Sequence, residues 1–258
     1  MKINIEEEAQ KFYAKHYPYA SEKEMDKQIK DWQNKIKAGE GLADFFSERV
    51  GRLAGKKILD VGFGSGGVSA AFSLAGAVVW GVDVEPDLKD IAERNVAANG
   101  GKADLKIYDG KKLPFDDNFF DYVICCSVLE HMTFPQEVLK EMFRVLKPKG
   151  GILLTLPNKY YPKETHTLAY FVSWMPRKLG NAYLKILKHS PLEYDNLHFY
   201  SYFDIVKMLG KTGYRYELLY KKSDQTSAPK KFLISALKKL GIHYTVLLKQ
   251  LIFVIEKK

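Results

Sequence analysis

The sequence predicts an α/β fold built on one seven-stranded, mostly parallel sheet with helices on both faces, extended by a helical N-terminal segment and a lid insertion. Three observations predict it. Short continuous apolar runs alternate with amphipathic helical stretches from Lys57 to Pro157, the pattern of strands buried on both faces. The first run, Ile58-Leu59-Asp60-Val61, opens into the glycine-rich turn Gly62-Phe63-Gly64-Ser65-Gly66. The second, AVVWGVD, ends on a carboxylate, Asp83.

The elements follow in order. Residues 1 to about 56 read as helical and charged; Leu42, Phe45, Phe46, Val50 and Leu53 fall at helical spacing, and Gly55 is the expected stop. ILDVG is the first strand, Val68 to Leu74 a short helix and AVVWGVD the second strand. Pro86 suits the first turn of a helix reaching Ala98, which Asn99-Gly100-Gly101 ends. Ala103 to Tyr108 and Phe120 to Cys126 are the third and fourth strands, Pro135 to Leu146 a helix, and GGILLTLP the fifth strand. Regularity then stops for about forty residues rich in Tyr, Pro, Lys and His, a length typical of a functional lid or inserted subdomain. Ser201 caps a helix to Leu209; YRYELLYKK and QLIFVIEKK are closing strands, with APKKFLISALKKLGIHYTV between them as an amphipathic helix. One domain thus spans 1–258, divided as 1–56 extension, 57–156 core, 157–200 insertion and 201–258 closing elements.

With 46% apolar residues the chain has material for a sizeable core, which excludes a disordered protein. Its formal charge of +9 suits a solvated lysine-rich surface, an anionic substrate, a membrane surface or nucleic acid. No arginine-rich tract with interleaved aromatics marks an RNA-binding arm. Cys125 and Cys126, adjacent in an apolar run, neither staple a fold nor have metal-ligand spacing, so they read as reduced core thiols. The start MKINIEEEAQ lacks an apolar signal core and no apolar run reaches membrane-spanning length, so a cytoplasmic protein is expected.

The chemistry concentrates at the carboxyl ends of the strands, where doubly wound sheets bind ligands. Glycines there let the backbone approach a ligand closely, and a carboxylate ending the second strand suits ribose hydroxyls. The spacing of Gly62, Gly64 and Gly67 also satisfies the dinucleotide-binding pattern. Asp60 two residues before the first glycine, Asp109 after the third strand, and Lys147-Pro148-Lys149-Gly150-Gly151 before the fifth argue for a different ligand. Singly, Asp60 and Asp109 read equally well as turn caps.

Together, ILDVGFGSG, WGVDVEPDLKDIAERN, YDGKKLPFDDNFFDYVICCSVLEHM and VLKPKGGILLTLP resemble the successive motifs of the class I S-adenosylmethionine-dependent methyltransferases, in the small-molecule branch that contains quinone- and lipid-modifying enzymes. The resemblance runs from Lys57 to Pro157, resumes weakly at HFYSYFDIVKMLGKTGYR, and implies a Rossmann-like fold. It also implies S-adenosylmethionine as cofactor. Asp60 would meet the methionine amino group; Gly62, Phe63, Gly64 and Gly66 would line methionine and ribose. Asp83 would bind the ribose diol, Val84 the adenine face, Asp109 the exocyclic amine with Gly110 beside it, and Ser127 would approach through its backbone. Phe63 departs from the slender residue usual at its place.

Methyl transfer from a sulfonium is an in-line displacement, so alignment, water exclusion and a base where the nucleophile carries a proton are the requirements. The candidate catalytic residues are His131, Glu130 and His198, with a packing role for each as the alternative. No metal is required by the chemistry, although similar quinone O-methyltransferases use the acid–histidine pair here as metal ligands. His166 could reach the acceptor or serve at the surface or in packing, and Tyr160 and Tyr161 read as pocket wall or lid core. The absence of an Asn/Asp-Pro-Pro-Tyr after the fourth strand argues against adenine-N6 and glutamine methylation. The expected acceptor is a small or lipid-like molecule, and Lys230 to Lys249 forms a basic amphipathic stretch suited to peripheral contact with an anionic membrane or to packing on the sheet. The alternatives are a methyltransferase acting on tRNA or protein through its basic surface, and a non-catalytic donor-binding protein.

Overall fold

In a computed structural model of the chain, residues 3–18, 20–189, 197–210, 214–219, 232, 235–237, 239–240 and 248–257 are described. Two helices precede the sheet. Helix α1 (Ile5–His16) starts at Asn4, and α2 (Glu22–Val50) starts at Ser21 through a reciprocal capping box with Glu24. Helix α2 is longer than its C-terminal apolar pattern suggested and ends earlier than Gly55. Gly51, at φ 85°, donates its N–H to Ser47 O and stops the helix at Val50. Gly55 instead closes the next turn, donating to Gly76 O.

Five parallel strands follow: β1 (Lys57–Val61), β2 (Val78–Asp83), β3 (Ala103–Ile107), β4 (Phe120–Cys126) and β5 (Leu146–Pro157). Between them run α3 (Gly67–Leu74), α4 (Pro86–Ala98) and α5 (Pro135–Val145). The chain continues through α6 (Arg177–Ile186), α7 (Tyr202–Leu209), β6 (Arg215–Leu219) and β7 (Gln250–Glu256). The sheet order is β3-β2-β1-β4-β5-β7-β6, with only β7 reversed, between β5 and β6. This is the mostly parallel seven-stranded sheet read from the sequence. Helix α6 lies inside the stretch that looked irregular; most of 228–246, read as an amphipathic helix, lies outside the described residues.

The strands alternate sides, which sorts the core. Leu59 and Val61 join Phe120, Met142 and Phe253 on one face. Ile58 joins Phe46, Val68 and Phe72 on the face covered by α2 and α3. Asp60 shares the parity of Ile58, so its carboxylate points under α3 instead of into the apolar cluster opposite. Helices α2 and α3 approach closely because Gly39 has no side chain: a Cβ there would lie 2.8 Å from Ala71 Cβ. Strand order reverses between β1 and β4, and the crevice outside their carboxyl ends is the ligand position of such sheets.

Candidate active site

The β1 turn is shaped by its glycines. A Cβ on Gly62, at φ 81°, would lie 2.4 Å from Val128 Cγ2, so the β1 and β4 loops meet only over a bare backbone. Gly66, at φ 77°, is the N-cap of α3 and abuts the Ala92 backbone, 2.8 Å from its carbonyl oxygen for an added Cβ. Asp83 ties this turn to β2: one carboxylate oxygen accepts from Gly64 N at 2.9 Å, the other from Glu85 N at 3.1 Å. Each oxygen keeps a lone pair for a further donor.

Asp60 is buried at 1% exposure and accepts from Ser69 Oγ at 2.6 Å. Burial pushes its carboxyl up to about 7, against the opposing pull of Ser69 and the Lys35 ammonium. Burial likewise raises Asp83, opposed by its backbone donors. Asp109 is different: it is exposed, and one oxygen accepts from both Lys111 N and Lys112 N. These backbone bonds hold its carboxyl below the usual range, so it does cap its turn. Val84 lies open at 57% exposure with Gly110 beside it. Ser127 follows β4 at φ 58°, anchored by its N–H to Thr155 O. The ring of Phe63 is buried in the core with Trp32, Leu88 and Leu105, so only its backbone faces the turn's concave side; its bulk is absorbed by the N-terminal helices.

Beyond Ser127 a second cluster forms. Glu130 is 2% exposed, and among the described residues neither carboxylate oxygen has a hydrogen-bond partner. Burial raises its carboxyl to about 7. His131 Nε2 and His166 Nε2 face each other at 3.2 Å. Glu164 grips the second ring: His166 Nδ1 lies 2.9 Å from one of its oxygens, while the other accepts from His166 N, Thr167 N and Thr167 Oγ1. Burial opposes charge on both partners, yet their mutual attraction wins, lowering Glu164 to about 2 and raising His166. His131 as a whole is exposed, but crowding of its ring, then His166, holds its imidazole below the ordinary range. His198 donates its backbone N–H to Glu130 O and lines, with Tyr161, Lys159 and His166, a cleft over this cluster. Tyr160 is 39% exposed and does not line this cleft.

One ligand atom each from Glu130, His131 and His166 lies within 4.8 Å of the others, a spacing that could hold a metal ion. His166 and Glu164 were not selected from the sequence as site residues; an acid two positions before a histidine, just after the fifth strand, was the available signal. Lys35, whose charge acts on Asp60, Glu130 and Cys126, was also missed, because nothing in one sequence tells which lysine of a helix faces the sheet.

Residues 59–154 match the family described as a methyltransferase domain. The ubiquinone biosynthesis O-methyltransferase of Coxiella burnetii (strain RSA 493 / Nine Mile phase I) is 30% identical over 128 residues, 48% of this chain and 55% of that one. The enzyme of the same name from Pseudomonas putida (strain F1) is 32% identical over 155 residues, 53% of this chain and 66% of that one. The chain thus spans between about half and two thirds of these relatives' length. Among solved structures, a SAM-dependent methyltransferase from Aquifex aeolicus superposes with TM-score 0.56 at 17% identity, over 87% of this chain and 91% of that one. Magnesium protoporphyrin IX methyltransferase from Synechocystis, with bound SAH, gives 0.53 at 17%, over 88% and 87%. With the sheet order and the β1 turn, these findings mean that residues 59–154 carry a methyltransferase domain, set in the fold of the SAM-dependent methyltransferases.

Proposed function

We propose that the protein transfers the methyl group of S-adenosylmethionine to an oxygen of a small-molecule or lipid-like acceptor bound in the cleft over Glu130, His131 and His166. The observation that carries this reading is the placement of an imidazole–carboxylate cluster immediately beyond the donor turn, at the ends of β4 and β5. The name of the relatives, O-methyltransferases of ubiquinone biosynthesis, supports oxygen as the accepting atom.

In this reading Asp60 pairs with the donor's ammonium, and Asp83 accepts from the ribose hydroxyls. Gly62, Phe63, Gly64 and Gly66 present backbone to the methionine and ribose. Val84 packs on the adenine, Asp109 offers its remaining lone pairs to the adenine amine beside Gly110, and the strained Ser127 backbone closes the pocket toward the acceptor. His131 and His166 face the acceptor; as neutral imidazoles they can take its hydroxyl proton, with Glu164 orienting His166 and stabilising the cation formed. Glu130 places its negative charge beside that pair, and His198 forms the cleft wall. The free thiols of Cys125, buried, and Cys126, half-buried, suit a protein of the reducing cytoplasm.

Glu130, His131 and His166 also fit a divalent cation. The fit rests on the orphaned oxygens of Glu130, the two facing Nε2 atoms, and Glu164 behind His166 in the place of an outer-sphere carboxylate. Such an ion would supply Lewis acidity toward the acceptor hydroxyl.

The test is methyl incorporation from labelled donor into a panel of phenols and long-chain alcohols, with bulk tRNA and lysate protein as parallel arms, and elemental analysis of the purified protein. Label in a small acceptor, lost in Glu130→Gln and His131→Ala while donor binding persists, is expected. Label in RNA or protein instead would overturn the acceptor assignment.

A further inference from the structure

We propose that the face formed by Tyr170, Phe171, Trp174 and the outer side of α6 docks on an anionic membrane surface. Its residues are different from those of the C-terminal basic stretch to which the sequence directed attention.

The argument starts with composition. From Thr165 to His189 there is no aspartate or glutamate, while Arg177, Lys178, Lys185 and Lys188 are cationic. The same stretch exposes large apolar side chains: Trp174 at 51%, Leu179 at 62% and Ile186 at 78%, with Tyr170, Phe171 and Leu187 each above 40%. Scattered single exposures need no explanation, but six within eighteen residues form a patch.

The geometry arranges them. In α6, Gly180 and Leu184 are buried against the protein. Leu179, Ala182 and Ile186 are exposed and recur at i, i+3 and i+7, on the opposite side of the helix. At 100° per residue, Lys178 and Lys185 lie together on the flank of that outward stripe. A solvated helix face would be polar. An apolar outer stripe flanked by lysines is the arrangement of a helix lying in the headgroup region, acyl boundary beneath and phosphates beside it.

The aromatics are held out by a built base. Phe171 sits at φ 61° and donates its N–H to Pro162 O, and Trp174 N donates to Phe171 O. Beneath them Val172 and Ser173 are buried, Ser173 Oγ donates to Lys159 O, and Ala169, Val172 and Leu184 pack into a small core of their own. Phe171 and Trp174 then meet edge to face, 5.0 Å between centroids, on the outside. Aromatic rings at the headgroup level are the ordinary anchors of an interface. The rigid base means that their exposure does not come from a loose loop. Charge selects the occupant: Lys178, Lys185 and Lys188 are exposed, and residues 165–189 contribute no acid, which complements phosphate headgroups. Met175 and Arg177 line a second hollow that shares Lys159, Ser173 and His198 with the wall of the cleft over Glu130, so docking would set that side of the cleft at the bilayer. That last step rests on the proposed acceptor cleft; the docking itself does not.

The experiment is co-sedimentation of the full chain with vesicles of phosphatidylcholine alone and of equal parts phosphatidylcholine and phosphatidylglycerol, at low and high salt. Binding to the anionic vesicles that weakens with salt is expected. Both Phe171→Ser with Trp174→Ser, and Lys178→Glu with Lys185→Glu, should lower it by at least about ten-fold. Donor binding by calorimetry serves as the folding control, since none of these four residues lies in the donor pocket. In the parent protein, brominated lipid should quench tryptophan emission, and Trp174→Phe should abolish the quenching. Absence of binding to anionic vesicles would overturn the proposal. So would full binding by both double variants, which would place the contact on another surface. A concentration-dependent dimer that the double variants dissolve would overturn it too, by naming a second copy as the occupant.

Discussion

Replacing Asp60 with asparagine separates what its charge costs the fold from what it contributes to the donor. The side chain is 1% exposed and bonded to Ser69 Oγ. Burial lifts its carboxyl from the ordinary 3.8 to about 7, a difference of about 3 pH units, or about 4 kcal/mol as an upper bound. The folded value is raised, so the unfolded chain loses its proton first. The stability contributed by the protonated acid is complete below 3.8, declines from there, and is gone above about 7. Asparagine keeps the shape and can still accept from Ser69, but does not titrate. In urea unfolding, Asp60→Asn should therefore gain on the parent protein by about 2–3 kcal/mol between pH 5 and pH 8. Donor affinity should move the other way, falling by about 1.5–3 kcal/mol at pH 8 for loss of a charged hydrogen bond. In the parent protein it should rise with pH until about 7, as the carboxylate forms. Parallel stability profiles for the two proteins, or unchanged calorimetric affinity for the donor, would refute this account of Asp60.

Asp83→Ala should weaken donor binding by about 1–3 kcal/mol through unpaired ribose hydroxyls; unchanged affinity in calorimetry removes Asp83 from the pocket. Gly66→Ala forces a Cβ to 2.8 Å from the Ala92 carbonyl at φ 77°, and should cost about 1–3 kcal/mol in urea unfolding; Gly100→Ala, with open space around it, is the matched control for positive φ alone. Hydrogen exchange over 157–189 should slow when donor and acceptor bind together, whereas protection confined to Gly62–Gly66 would deny this segment a role as acceptor cover.

Much of the core was legible because its signals are local. Strand periodicity, the glycine turn after Asp60 and an acid ending AVVWGVD are each set by neighbouring residues, and they recur at β1, the β1 turn and β2 as read. Helix α4, with Pro86 in its first turn, and β4 coincide with the bounds read from the sequence. The stop of α2 was misplaced because two glycines, Gly51 and Gly55, offered the same local signal, and only the backbone bond to Ser47 O distinguishes them. Helix α6 escaped notice because its outer stripe is as apolar as its inner one.

The second cluster was not legible in the same way. The sequence could offer Glu130 and His131 as neighbours, and His166 as a histidine in a long irregular stretch. It could not bring together rings 35 residues apart, because that requires β4 and β5 to pair in the register Cys126 to Thr155 and the following chain to fold back over the strand ends. Nor could it tell that Glu130 finds no hydrogen-bond partner among the described residues, since satisfaction of a carboxylate depends on every group around it. The sequence by itself determined the fold class and the glycine turn after β1, whose conformations depend on residues adjacent in the chain. The tertiary structure alone decided which carboxylates are dry and which imidazoles meet, because burial and approach are properties of chain segments packed from a distance.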